Sequence, residues 1–336
     1  MKVRIINQKE VEELLTMREC IGLMEKVLMS LARGEAILPL RSVVALPEKN
    51  GKLAMMPSYL ANPASFGVKV ISAFPENTGT QFDSHQGVIL LFEPVNGSLL
   101  AIVDATSVTA IRTAAASGAA TKILARENAR DLAILGSGVQ AKTHLEAMLV
   151  ARNIRNVRAW SPNKDRLREF VDRQSKHHNI EIKAANSAEE AITNADLICT
   201  TTACREPIVH FDSISAGAHI NAVGACVPTT RELDSNTVAR SRLFVDRLES
   251  ALNEAGDFLI PKKEGLINDN HIQGEVGEVL IGRKKGRTSH DEITIFKSLG
   301  ISVEDLASAN FLYEQATSKN LGIEVELGGS RSHGTA

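Results

Sequence analysis

Residues 131–151, DLAILGSGVQAKTHLEAMLVA, constrain this chain more than any other stretch. A short apolar run, DLAIL, leads straight into Gly136-Ser137-Gly138-Val139-Gln140-Ala141, and a helical pattern opens behind it. Gly136 permits a tight turn, Gly138 lets the backbone come close to an anion, and Ala141 is small enough for a helix to pack on the strand. The first N–H groups of the helix have no partner within it and attract negative charge. This is how a parallel α/β sheet holds a dinucleotide pyrophosphate, so Gly136, Ser137, Gly138, Val139 and Gln140 are expected to contact a cofactor. The segments that follow fit the same architecture. NVRAW, EIKAA, DLICTTT, HINAVG and RLFVDR read as strands, with helical patterns such as KDRLREFVDRQSK between them. Strands alternating with helices predict an α/β fold with a Rossmann-type parallel sheet.

The second strand of such a sheet normally ends in an acid that binds the ribose 2′-hydroxyl of NAD. Here it ends NVRAW and continues Ser161-Pro162-Asn163-Lys164-Asp165-Arg166. Ser161 carries no charge to repel a 2′-phosphate, and Lys164 and Arg166 are able to pair with one. The expected cofactor is therefore NADP or NAD, with a lean toward NADP, and Ser161, Asn163, Lys164 and Arg166 join the expected contacts. Ligands of open α/β sheets bind outside the carboxyl ends of the strands. That adds Thr201, Ala222, Val223 and Gly224, at the ends of DLICTTT and HINAVG.

The remainder of the chain reads differently. Residues 9–33 have apolar positions at helical spacing and stop at Gly34. From about residue 40 to 105, short apolar runs separated by Asn, Gly, Pro and Glu predict a mixed or antiparallel sheet, with a turn at Asn96-Gly97. SVTAIRTAAASGAATKILA predicts a closely packed helix, and SVEDLASANFLYEQATSK another near the C-terminus. The expected division is a mixed α+β domain from residues 1–112 and 305–330, a Rossmann domain over 113–304, and a flexible Gly/Ser-rich tail over 328–336.

Composition narrows the classes of function. The formal net charge is −2 with 38 basic residues spread along the chain, which argues against a nucleic-acid-binding face. No stretch approaches the ~20 apolar residues of a membrane span, and the N-terminus lacks the apolar core of a secretory signal. Cys20, Cys199, Cys204 and Cys226 form no CxxC pair and no zinc spacing, so reduced thiols, no metal and a cytoplasmic location are expected.

Three cations stand in apolar surroundings: Arg41 after LPL, Lys69 within FGVKVISAF, and Arg112 within TAIRTAAASG. Buried cations need anionic partners. Convergence on a substrate carboxylate is one reading, and structural ion pairing is the other, with Asp104, Glu275 and Glu278 as candidate partners. His85, at the start of an apolar run, is a candidate proton donor.

LPLR, GVK, DATSVTAIRTAAAS, LGSGVQA, AWSPNKDR, ADLICTTT, GAHINAVGA, RELD, FVDRLESALNEAGDFLIP, GEVGEVL and ITIFKSLGISVEDLASA occur in one order over roughly residues 35–320. In this the chain resembles the ornithine cyclodeaminase/μ-crystallin family, closer to its μ-crystallin or ketimine reductase branch. The resemblance implies a homodimer, with the N-terminal region and C-terminal helix forming a substrate and dimerisation domain. It also implies that Arg41, Lys69 and Arg112 act as the catalytic and carboxylate-binding set. Ornithine cyclodeaminases carry an aspartate two residues past the glycine of HINAVG, whereas this chain has Cys226 there, which joins His85 as a candidate substrate neighbour. The resemblance therefore implies NAD(P)H-dependent reduction of an imino acid, or the reverse oxidation. Cyclodeamination of ornithine to proline is an alternative that lacks its base, and a non-catalytic NADP- and small-ligand-binding protein is a second alternative.

Overall fold

The computed structural model describes residues 2–77 and 79–328. The chain forms two compact units: residues up to 23, 33–112 and 301 onward in one, and 24–32 with 113–300 in the other. The expected tail, apart from Gly328, lies outside the described residues.

Among the described residues the first unit holds β1 (Lys2–Ile6), β2 (Ala36–Ile37), β3 (Ser42–Leu46), β4 (Gly51–Ala61), β5 (Ala64–Ala73), β6 (His85–Phe92) and β7 (Leu99–Asp104). The second holds β8 (Asp131–Leu135), β9 (Asn156–Trp160), β10 (Ile182–Ala184), β11 (Leu197–Thr200), β12 (His219–Ala222), β13 (Arg242–Val245), β14 (Ile272–Glu275) and β15 (Thr294–Lys297). β16 (Ile323–Glu326) belongs again to the first.

The sheet of the first unit runs β16-β1-β7-β6-β5-β4-β2, with β3 on β4. It is mixed: β1 and β7 are parallel, while β4, β5, β6 and β7 form an antiparallel meander. Its two faces follow from the period of two along a strand. On β5, Ser65, Gly67, Lys69 and Ile71 are buried, while the residues between them are exposed or half-buried. The helix Ser302–Ser318 packs on β4, β5 and β6. It is close enough that a Cβ on Gly67 would stand 3.0 Å from the Leu306 side chain.

The helix expected over residues 9–33 is two helices, Gln8–Leu14 and Met17–Ala32. The break has a local cause. Thr16 Oγ1 accepts from Glu19 N (3.3 Å), and Glu19 Oε2 accepts from Thr16 N (3.2 Å). This reciprocal cap starts a new helix inside a continuous apolar pattern. Residues 24–32 cluster with the second unit. Lys122 pairs with Glu25, and Arg283 Nη1 donates to Ala32 O at 2.7 Å.

The sheet of the second unit is parallel throughout, ordered β10-β9-β8-β11-β12-β15-β13-β14. Strand order runs outward from β8 through β9 and β10 on one side and through β11 and β12 on the other. The switch point therefore lies between β8 and β11. The strands read as near-continuous apolar runs because both faces are covered: Leu132, Ile134, Leu197, Ile198, Ile220, Ile295 and Phe296 are all fully buried. At the end of the helix Ala105–Leu124, Arg152 Nη2 donates to Thr121 O (2.8 Å) and Arg287 Nε to Leu124 O (2.8 Å), satisfying carbonyls the helix leaves open.

Candidate functional site

The turn after β8 has the form that suits a dinucleotide. Gly136 has φ +127°, a conformation reserved for glycine, and its N–H donates to Trp160 O at 2.8 Å. A Cβ there would collide with Thr201 Oγ1 at 2.5 Å. Gly138 caps the helix Val139–Ala151 with no side-chain hydrogen bond, and a Cβ built on it would meet no protein atom within 4 Å. The free N–H groups and the clearance suit a pyrophosphate. Ala141 is fully buried where helix meets sheet. Val139 is exposed at the mouth of the turn, while Gln140 gives its carbonyl to His144 Nδ1 at 2.7 Å.

The end of β9 carries the residues expected at the adenosine ribose. Ser161 is buried, and its Oγ accepts from Ser137 Oγ at 2.9 Å, tying the end of β9 to the glycine turn. Lys164 and Arg166 are exposed on the first turn of the next helix. Asn163 caps that helix, its Oδ1 accepting from Arg166 N at 2.9 Å. Across the switch point, Thr201 N and Oγ1 both donate to Leu135 O, at 2.8 and 2.9 Å. Ala222 and Val223 are buried at the end of β12. Cys226 is exposed, and its thiol donates to Val223 O at 3.1 Å.

A second set of buried charges lies under these strand ends. Glu232 accepts from Thr200 Oγ1 (2.7 Å), Thr202 N (2.7 Å), Thr202 Oγ1 (2.6 Å) and Gly224 N (2.7 Å). Asp257 Oδ1 accepts from the backbone N–H groups of Glu232 and Leu233, at 2.8 and 3.0 Å, and its Oδ2 stands 2.9 Å from Lys297 Nζ. All three side chains are nearly or fully buried. The sequence did not bring them forward, although Lys297 in TIFKSLG shows the same signal, a cation in an apolar strand, that singled out Lys69.

In the first unit, Lys69 and Arg112 come together, and their partners are acids that the sequence did not single out. Lys69 Nζ lies 3.0 Å from Asp305 Oδ1 and 2.6 Å from Thr109 Oγ1. Arg112 Nε reaches the same Asp305 oxygen at 2.9 Å, and its Nη1 reaches Glu304 Oε2 at 2.7 Å. The candidate partners Asp104, Glu275 and Glu278 serve elsewhere: Asp104 caps Ser107 N at 2.8 Å, Glu275 accepts from Leu248 N at 2.8 Å, and Glu278 accepts from Glu275 N at 3.1 Å. Glu304 and Asp305 escape notice in the sequence because acids in the first turn of a helix look like ordinary dipole partners.

The cations keep donor capacity. The contacts on Glu304 and Asp305 use Arg112 Nε and Nη1 and not Nη2, and Lys69 has a third N–H beyond its two contacts. Burial draws the Lys69 pKa down to about 8, with Asp305 opposing the fall and the nearby charges of Arg112 and Arg41 adding to it. Burial disfavours the charged form of Arg112, but Asp305 and Glu304 outweigh it and hold the guanidinium charged. Burial likewise works against the Asp305 carboxylate, and Arg112 and Lys69 prevail to keep it ionised. Arg41 is half-buried. His85 Nδ1 meets Ser84 Oγ at 3.1 Å, and close packing together with the Lys69 charge lowers its pKa, which favours neutral imidazole at neutral pH. Among the described residues no group of His, Cys, Asp and Glu is arranged to hold a metal ion.

A parallel sheet with a glycine turn at its switch point, in one chain with a buried cluster of cations, defines a Rossmann-type, NAD(P)-dependent class of protein. The chain belongs to the ornithine cyclodeaminase/mu-crystallin family, whose model matches residues 1–320. It is 39% identical to the ketimine reductase mu-crystallin of Mus musculus over 285 residues, covering 85% of this chain and 87% of the relative. Among solved structures it is similar to Thermococcus litoralis Delta(1)-pyrroline-2-carboxylate reductase in complex with NADH and L-proline. The TM-score is 0.94 and the identity 41%, with 96% of this chain and 100% of that one covered. It is also similar to an archaeal alanine dehydrogenase dimer with bound NAD, with a TM-score of 0.92, 34% identity and coverage of 98% and 100%.

Proposed function

We propose that this protein reduces an imino acid to the amino acid with NAD(P)H, acting on a cyclic ketimine such as pyrroline-2-carboxylate or piperideine-2-carboxylate, or on a linear imine. The observation that carries the reading is the Lys69–Arg112 pair, buried and fixed on Asp305 yet with donors left over. Arg112, with Arg41 beside Lys69, binds the α-carboxylate through charge-assisted hydrogen bonds. Lys69 adds positive charge and, with its pKa near 8, exchanges a proton in the range where imines protonate. The backbone N–H groups after Gly138 hold the pyrophosphate, and the ends of β11 and β12 hold the far half of the dinucleotide. Bound reduced nicotinamide supplies the hydride that the imine carbon accepts. A lyase reaction on ornithine needs a base where Cys226 stands, and the Cys226 thiol acts as a donor to Val223 O.

The reading extends to a homodimer. The outward face of the first sheet sets Met55, Val70 and Val88 in one cross-strand row and Tyr59, Phe66 and Phe92 in another. Met55 (38%), Phe66 (46%) and Val88 (36%) are exposed on it, so apolar side chains stand next to one another across three strands. A second copy on this face accounts for it. The reading places the protein in the cytoplasm, where its four thiols would stay reduced.

The test is oxidation of NADPH and, separately, NADH against a panel of cyclic and linear imino acids, with ornithine and NAD alongside. Consumption of reduced cofactor with amino acid formed supports the reading. Ammonia and proline from ornithine without net cofactor change would replace it with the lyase, and binding without turnover with the non-catalytic role.

A further inference from the structure

Glu232 is a heavily engaged carboxylate beneath the strand ends, and binding of the pyrophosphate and the adenosine ribose gives it no role. Four donors converge on it, two backbone N–H groups and two hydroxyls. A carboxylate offers about four lone-pair sites and, ionised, only accepts, so the ionised form alone satisfies every donor aimed at it. Burial and Asp257 push its pKa up, and the hydrogen bonds from Thr202 and Thr200 together with the Lys297 charge oppose that rise.

What these contacts join is specific. Thr200 and Thr202 follow from β11, and Gly224 from β12. These loops stand beyond the switch point from β9, on the side where a Rossmann sheet takes the nicotinamide half of a dinucleotide. The glycine turn after β8 and Ser161 at the end of β9 serve the pyrophosphate and the adenosine half. The packing at Gly224 is tight: a Cβ there would meet Thr202 O at 2.1 Å and Glu232 Oε1 at 2.6 Å. Glu232 is fixed in turn from behind, since Asp257 binds its backbone N–H and Lys297 anchors Asp257.

We infer that Glu232 is a positioning residue for the nicotinamide end of the cofactor site, a buried clamp that holds the β11 and β12 loops in one register. Asp257 and Lys297 act as its base. Thr201 lies between two clamped residues, and Cys226 stands two residues past the clamped Gly224, so the clamp sets the surface on which the nicotinamide ring lies.

The inference rests on dinucleotide binding and not on the identity of the substrate, so its test does not use turnover. The full-length protein and its Glu232→Gln and Thr202→Val variants are titrated with NADH and with ADP-ribose, which lacks the nicotinamide end. Glu232→Gln turns an acceptor into a donor facing donors. Leaving such buried groups unpaired weakens NADH binding by about tenfold or more, while ADP-ribose affinity stays within about twofold of wild type. Thr202→Val removes one hydroxyl and weakens NADH about threefold in the same selective way. Equal loss for both ligands would make Glu232 a general structural residue and overturn the inference, as would unchanged NADH affinity. Should Glu232→Gln fail to fold, Thr202→Val decides by the same comparison.

Discussion

Both units bury charge, but they treat it in opposite ways. In the second unit four donors fill Glu232, and Asp257 holds two backbone N–H groups through Oδ1 while its Oδ2 faces Lys297. In the first, Lys69 and Arg112 are gripped on one side by Asp305 and Glu304 and retain N–H groups on the other. Glu232, whose accepting capacity is filled, acts by holding the backbone. A buried ion that is braced but not exhausted is prepared for a ligand. The carboxylates of Glu304 and Asp305 are what make the second case tolerable, because two buried like charges without them would not stay ionised together.

That contrast breaks most severely at its brace. Asp305→Ala leaves Lys69 and Arg112 uncompensated and is expected to lower stability by about 3–5 kcal/mol, measured by denaturant unfolding. A loss under about 1 kcal/mol would mean that the cations do not depend on it. Arg112→Ala is expected to cost about 2–4 kcal/mol of transition-state binding, a drop in kcat/KM of roughly thirty- to a thousandfold. NADH affinity should stay near wild type, and a parallel loss of cofactor binding would show that the effect is not on the carboxylate.

The Lys69 pKa tests the contrast on a finer scale. Its folded value of about 8 lies below the ordinary 10.5, so the ammonium form is present below pH 8 and is lost as pH rises through it. If protonated Lys69 serves the reaction, kcat/KM falls along an alkaline limb near that pH, and Lys69→Arg, which does not titrate there, flattens the limb. A limb that survives in Lys69→Arg belongs to another group. The smallest effect concerns the cofactor edge. Ser161→Asp is expected to move the NADP-to-NAD ratio of kcat/KM toward NAD by about tenfold, through repulsion of a 2′-phosphate. An unmoved ratio would mean that this position does not read the 2′ group.

The glycine turn, the order of strands and helices around it, and the family were all legible in the chain. The turn rests on interactions between residues a few positions apart, such as the positive φ of Gly136 and the open helix end at Gly138. The cap of Asn163 on Arg166 N, three residues on, is equally local. The Thr16–Glu19 cap that divides the N-terminal helix was also there to be read, but the continuous apolar spacing across it is the louder signal.

Local conformation and the identity of the buried cations can thus be read along the chain, since a Lys or Arg among apolar residues announces itself. Which acids meet those cations is a matter of packing. Asp305 is 236 residues from Lys69 and 193 from Arg112, and Lys297 finds Asp257 across separate elements of the parallel sheet unit. Ion pairing at such separations is set by how strands and helices pack and not by spacing along the chain, so no periodicity in the sequence encodes it.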